Sequence, residues 1–127
     1  MSLNRLHPGY RALIYAVLGL LFLSGLLWPS GWQRGLLMKV HGGAAMATLV
    51  LLGAVLAHHV PKGWAAGANR FSGLAVLGAA LWLLVTGYAL YYSGSESLRY
   101  WASETHFWIG VGVALVFGLH LRRSASS

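Results

Sequence analysis

Histidine sets the chemistry this chain can do. His41 is followed by the pair His58–His59, and His106 is followed by His120, in two strongly apolar segments. A histidine inside a membrane span is rare, because a buried polar ring has to find a partner there. Four such rings, two on each of two parallel spans, suit two metal centres stacked across a bilayer. Haem with two axial imidazoles is the natural occupant. The chain has no cysteine, which excludes thiolate-held iron–sulfur clusters, thioether-linked haem, disulfides and cysteine nucleophiles. A haem here would be non-covalent and b-type. A zinc or copper ion would need more ligands converging at one level, and no Cys, Asp or Met completes such a set.

The elements that must position these rings are membrane helices. The chain has 127 residues, 57% hydrophobic and 9% charged, which is not the composition of a soluble domain. A helix needs about 20 apolar residues to cross a bilayer, and four stretches meet that length: roughly 10–28, 36–59, 71–92 and 98–121. The first follows Arg5, His7 and Arg11 and imitates a signal peptide. No small-residue cleavage pattern follows it, and Trp28-Pro29-Ser30-Gly31-Trp32 reads as an aromatic interfacial turn, so it is kept as a helix. The expected fold is all-α: one four-transmembrane-helix bundle over residues 1–127, with almost nothing outside the membrane. Pro61 is expected to end the second helix.

The net charge of +7 sets topology rather than nucleic-acid binding. Arg5, Arg11, Lys62, Arg70, Arg122 and Arg123 fall on one side. Arg34, Lys39 and Arg99 fall on the other, with Glu96 and Glu104. The positive-inside rule places both termini and the second loop in the cytoplasm of a bacterial inner membrane. The turns near Pro29–Gly35 and Ser93–Arg99 then face outward, beside Trp28, Trp32, Tyr91, Tyr92, Tyr100 and Trp101.

The chain also repeats itself. Ala16-Val17-Leu18-Gly19, Ser24-Gly25, Ser30-Gly31, His41 and His58 recur as Ala75-Val76-Leu77-Gly78, Thr86-Gly87, Ser93-Gly94, His106 and His120, at offsets of 59, 62, 63, 65 and 62 residues. Two helical hairpins in the same orientation follow, with helices 2 and 4 parallel and the haems between them. His41 and His106 share the outer level; His58–His59 and His120 share the inner one. His106 and His120, 14 residues apart, are separated by roughly 21 Å and lie within roughly 40° of one face. His59 restores the face of His41 after five turns, whereas His58 matches His120 better in axial rise. His7, before Pro8, is a further candidate at the inner level.

Gly42, Gly43, Gly53, Gly110, Gly112 and Gly118 interrupt helices 2 and 4. They make room either for a flat macrocycle or for close helix packing; Gly42, Gly53 and Gly112 are taken as candidate haem contacts. Lys39 and Arg99 are candidates for haem carboxylates. Ser24 and Thr86 either support a histidine ring from behind or bond their own helix.

In Ser24-Gly25, Thr86-Gly87, Lys39-Val40-His41-Gly42 and the His106–His120 spacing, the sequence resembles the bacterial four-helix membrane cytochromes b. These are the dihaem anchors of hydrogenases and formate dehydrogenases and the superoxide:quinone oxidoreductases. The resemblance spans essentially the whole chain. It implies two low-spin bis-histidine b haems, a quinone partner and electron transfer across the inner membrane. His41, His106 and His120 carry over as haem-iron ligands. In the hydrogenase-type subunits the first helix supplies the inner partner, but His7 lies several residues too early for that. Helix 2 offers His58–His59 instead, as in respiratory cytochrome b, so His59, His58 and His7 remain alternatives.

The expected function is therefore an electron conduit between a periplasmic redox subunit and the quinone pool. The chain would work in a complex or as a homodimer among membrane lipids, as a subunit rather than an independent enzyme. A stand-alone superoxide or quinone oxidoreductase and a haem-free structural or assembly subunit are the competing readings.

Overall fold

A computed structural model describes residues 7–66 and 70–125; the side chains of residues 55, 58, 59, 63, 66, 70, 72, 73 and 117–125 lie outside that description. Among the described residues the chain is helical without strands: α1 (Pro8–Leu26), α2 (Arg34–Ala66), α3 (Arg70–Tyr92) and α4 (Glu96–Ala125), with a short 3₁₀ turn at Trp28–Ser30. Among the described residues, three apolar stretches are long enough to cross a membrane: Pro8–Ser30, Arg34–Ala54 and Leu74–Tyr92. Large apolar side chains such as Val50 (75% exposed) and Phe71 (87% exposed) line the outside. In water such a surface would drive association, whereas lipid solvates it. The chain is a helical protein built for a membrane.

It divides into two compact units, Met1–Arg70 and Phe71–Ser127, and the boundary falls between the two copies of the sequence repeat.

In the first unit, α1 begins at a cap. The His7 Nδ1 accepts the Gly9 N–H at 3.2 Å, and Pro8 occupies the first turn, where its missing N–H costs nothing. The chain reverses through the 3₁₀ turn. Ser30 Oγ donates to Leu27 O and accepts from Trp32 N. Gly31 (φ +73°) and Gln33 (φ +43°) both take left-handed backbone. Glycine does this freely, whereas glutamine does it at a cost. Helix α2 then packs along α1. Ile14 and Leu18 are buried on α1, and Leu37 and Ala44 on α2. Tyr10 donates its hydroxyl proton to the Leu51 carbonyl at 2.8 Å, tying the start of α1 to the middle of α2.

Positions 37, 41, 44 and 48 of α2 fall within roughly 60° of one another, one stripe of the helix. Thr48 on that stripe is unusual. Ser24, Thr86 and Thr105 each donate to the carbonyl four residues back, whereas the Thr48 hydroxyl is buried with no partner among the described residues.

Helix α2 does not end at Pro61 but continues to Ala66. Proline removes its own N–H and crowds the carbonyl four residues behind it, at Ala57. Neither effect reaches forward, and Lys62, Ala65 and Ala66 favour helix.

In the second unit the connection is only Ser93-Gly94-Ser95, shorter than the turn expected at Ser93–Arg99. Ser95 starts α4 early: its carbonyl accepts from Arg99 N, its hydroxyl accepts from Leu98 N at 3.4 Å, and Glu96 sits in the first turn, where the helix dipole favours a carboxylate. Ala102 is buried on α4, four residues before His106, as Leu37 is four residues before His41.

Candidate functional site

Each unit builds the same small device. In the first, Ser24 on α1 meets His41 on α2, with Ser24 Oγ 3.0 Å from His41 Nδ1. In the second, Thr86 on α3 meets His106 on α4, with Thr86 Oγ1 2.9 Å from His106 Nδ1. Ser24 and Thr86 are among the few buried polar side chains, and both rings are half-buried.

The surrounding bonds assign the ring protons. Ser24 Oγ lies 2.6 Å from Leu20 O and 3.0 Å from Leu21 O. A hydroxyl has one proton, and carbonyls can only accept, so that proton is spent on the helix. His41 Nδ1 also lies 3.0 Å from Leu21 O. With acceptors on both sides, Nδ1 must be the donor. Thr86 Oγ1 lies 2.7 Å from Trp82 O and 3.3 Å from Leu83 O; its proton goes to the nearer Trp82 carbonyl, which leaves His106 Nδ1 to donate to it. In each neutral ring the lone pair therefore resides on Nε2. This is the tautomer that a metal-ligating histidine adopts when a polar neighbour holds its other nitrogen.

The same bonds exclude another chemistry. A serine beside a histidine suggests a nucleophile and its base, but a base must accept the hydroxyl proton. Here the ring nitrogen donates and the hydroxyl proton points into its own helix.

A glycine follows each hydroxyl residue. A Cβ at Gly25 would stand 3.2 Å from His41 Cε1 and 3.6 Å from its Nδ1; at Gly87 the corresponding distances to His106 are 3.5 Å and 3.9 Å. Both imidazoles lie edge-on against the neighbouring helix where it has no side chain.

No family model, curated protein or solved structure matches the chain.

The remaining candidates divide clearly. His58 and His59 lie on α2 and His120 on α4, and their side chains lie outside the described residues. His7 serves as the α1 cap through its Nδ1 lone pair. In the neutral ring its proton is then on Nε2, the opposite tautomer to His41 and His106. Lys39 and Arg99 are exposed. Gly42 directly follows His41. A Cβ at Gly53 or Gly112 would meet nothing within 4 Å, so packing does not require glycine there. Among the described residues no three His, Cys, Asp or Glu side chains gather into a metal-binding group; a bis-histidine haem needs only two rings.

Sequence reasoning had Ser24 and Thr86 as alternatives between ring support and back-bonding, and they do both at once. It looked for special glycines beside the histidines on α2 and α4, whereas those touching the rings are Gly25 and Gly87 on the partner helices. The signal was in the repeat, where each follows its hydroxyl residue.

Proposed function

We propose that the chain is a b-type dihaem membrane cytochrome that carries electrons across a bacterial inner membrane between a periplasmic redox partner and the quinone pool. The observation supporting this reading is the matched pair: in both units a hydroxyl residue lies within hydrogen-bond distance of a histidine Nδ1. One such ring is an ordinary way to bury an imidazole. Two, built alike from repeat-related residues, suit the paired axial ligation of a haem iron, whose histidine ligands commonly hold a polar partner at the other ring nitrogen.

On this reading His41 and His106 hold the outer haem. His120, with His59 or His58, holds the inner one. Bound haem supplies a one-electron iron couple. The chain supplies the rest. Ser24 and Thr86 hold the Nδ1 protons and raise the basicity of the rings. The apolar side chains around them keep the site dry and the dielectric low. Lys39 and Arg99 offer exposed cations to haem carboxylates. His7 is disfavoured as a ligand because its cap bond places the proton on Nε2. Four membrane crossings, with both termini cytoplasmic, complete the reading.

The test is a reduced-minus-oxidised visible spectrum of the purified protein, with haem counted per chain. Two low-spin b haems are expected, falling to one in His41→Ala or His106→Ala. Protein made with ample haem supply that is nevertheless colourless would overturn the proposal and leave a structural subunit.

A further inference from the structure

We infer that Gly25 and Gly87 are positioning residues that seat the two histidine rings. The inference rests on the haem reading above and goes beyond it to what orients the ligands. A hydroxyl bond to Nδ1 holds one corner of the ring, which in the first unit the Leu21 carbonyl shares. The glycine one residue later adds a second point of support. It faces Cε1, the carbon between the two nitrogens, so the ring edge rests on helix backbone. Hydroxyl and glycine together set the direction in which the Nε2 lone pair points. Because the two residues are adjacent in sequence, one turn of helix carries the whole seat, and the repeat preserves it as Ser24-Gly25 and Thr86-Gly87.

Helix packing alone does not account for these glycines. Gly19 on α1 and Gly78 on α3 are also repeat-related, and a Cβ at either would meet nothing within 4 Å. At Gly25 and Gly87 the nearest atoms are ring atoms of the histidine.

The two seats differ in tightness. Carbon atoms rest best about 3.5–4.0 Å apart. A methyl at Gly25, 3.2 Å from Cε1, forces the ring to give by a few tenths of an ångström; at Gly87, 3.5 Å away, it is in ordinary contact. Alanine is therefore disruptive at 25 and tolerated at 87, where a branched side chain is needed to displace the ring.

The experiment compares Gly25→Ala, Gly87→Ala, Gly87→Val, Gly19→Ala and Gly78→Ala in the full chain, with two readouts. In haem-free protein labelled with ¹⁵N-histidine, NMR reports the Nδ1 proton and the Nε2 lone pair. In haem-loaded protein, the ferric low-spin electron paramagnetic resonance spectrum reports the axial rings, and haem titration reports affinity. Gly25→Ala and Gly87→Val should shift the ring ¹⁵N resonances and the low-spin signal and weaken haem binding about tenfold. Gly87→Ala, Gly19→Ala and Gly78→Ala should match the parent. If Gly25→Ala fails to accumulate, the Ala–Val contrast at 87 decides alone. Identical spectra for parent, Gly25→Ala and Gly87→Val would overturn the inference, as would Gly19→Ala disturbing the rings as much as Gly25→Ala. A protein that binds no haem overturns the function proposed above, while the haem-free NMR comparison still decides the seat.

Discussion

Replacing Thr48 by valine should make the protein more stable. Among the described residues the buried Thr48 hydroxyl has no partner, although a threonine in a helix ordinarily turns its proton onto the carbonyl four residues back, as Thr86 and Thr105 do. An unsatisfied buried hydroxyl costs about 1–3 kcal/mol in a water-soluble protein. In a membrane the unfolded reference also lacks water, and measured side-chain hydrogen-bond energies average about 0.6 kcal/mol. Valine keeps the outline of threonine and removes the polar atom, so Thr48→Val should gain about 0.5–1 kcal/mol. The repeat anticipates the exchange: 65 residues on, the offset that relates His41 to His106, stands Val113. The assay is reversible unfolding of the full chain in mixed micelles by sodium dodecyl sulfate, followed by far-ultraviolet circular dichroism. Thr48→Ala is the control, since it also deletes a packed methyl worth about 1 kcal/mol and should gain nothing. The expected order is Val above Thr, with Ala at or below Thr. A Thr48→Val protein less stable than the parent by 1 kcal/mol or more, with Thr48→Ser unchanged, would refute the reasoning and mean that the hydroxyl has an occupied bond.

Four other substitutions test separate parts of the structure. Gln33→Gly should stabilise the first hairpin by about 1 kcal/mol because it relieves a left-handed glutamine, and Gly31→Ala should destabilise it by a similar amount; the same unfolding assay reads both. Tyr10→Phe removes the bond to the Leu51 carbonyl and should cost about 1 kcal/mol while leaving the haem spectrum unchanged. Ser24→Ala combined with Thr86→Val removes both hydroxyl acceptors; redox titration should show a higher midpoint potential, because less basic rings stabilise ferric iron less. His7→Ala should lose a cap worth about 0.5–1 kcal/mol; on the proposed dihaem reading its haem content should equal the parent's, and loss of a haem in that variant would reinstate His7 as a ligand.

The hydrophobic pattern made the helices legible, since about 20 apolar residues in a row leave few alternatives. The histidine–hydroxyl pairs were partly legible, because Ser24 and Thr86 occupy matching places before His41 and His106. Which of two bonds each would make was not, since a hydroxyl in a helix can turn to the carbonyl four residues back as well as to a neighbouring ring. Pro61 misled because proline marks helix ends in water, where backbone released from a helix is hydrated, whereas in this chain the helix simply resumes beyond it. The early start of α4 was hidden by Glu96, Ser97 and Arg99, which read as a polar turn but suit a first helical turn capped by Ser95. The contacts of Gly25 and the orphan hydroxyl of Thr48 depend on how two helices meet side by side. A single-helix periodicity carries no such information.

Because each histidine finds its hydroxyl within its own hairpin, the polar cost of the two rings is met locally during synthesis. Each imidazole and the hydroxyl residue that engages it are only 17 positions apart in the first half and 20 in the second. Neither ring has to wait in lipid, bare, for the other half of the chain or for a cofactor. The setting of each ring is thus a local matter, completed twice within a hairpin of the chain's own making.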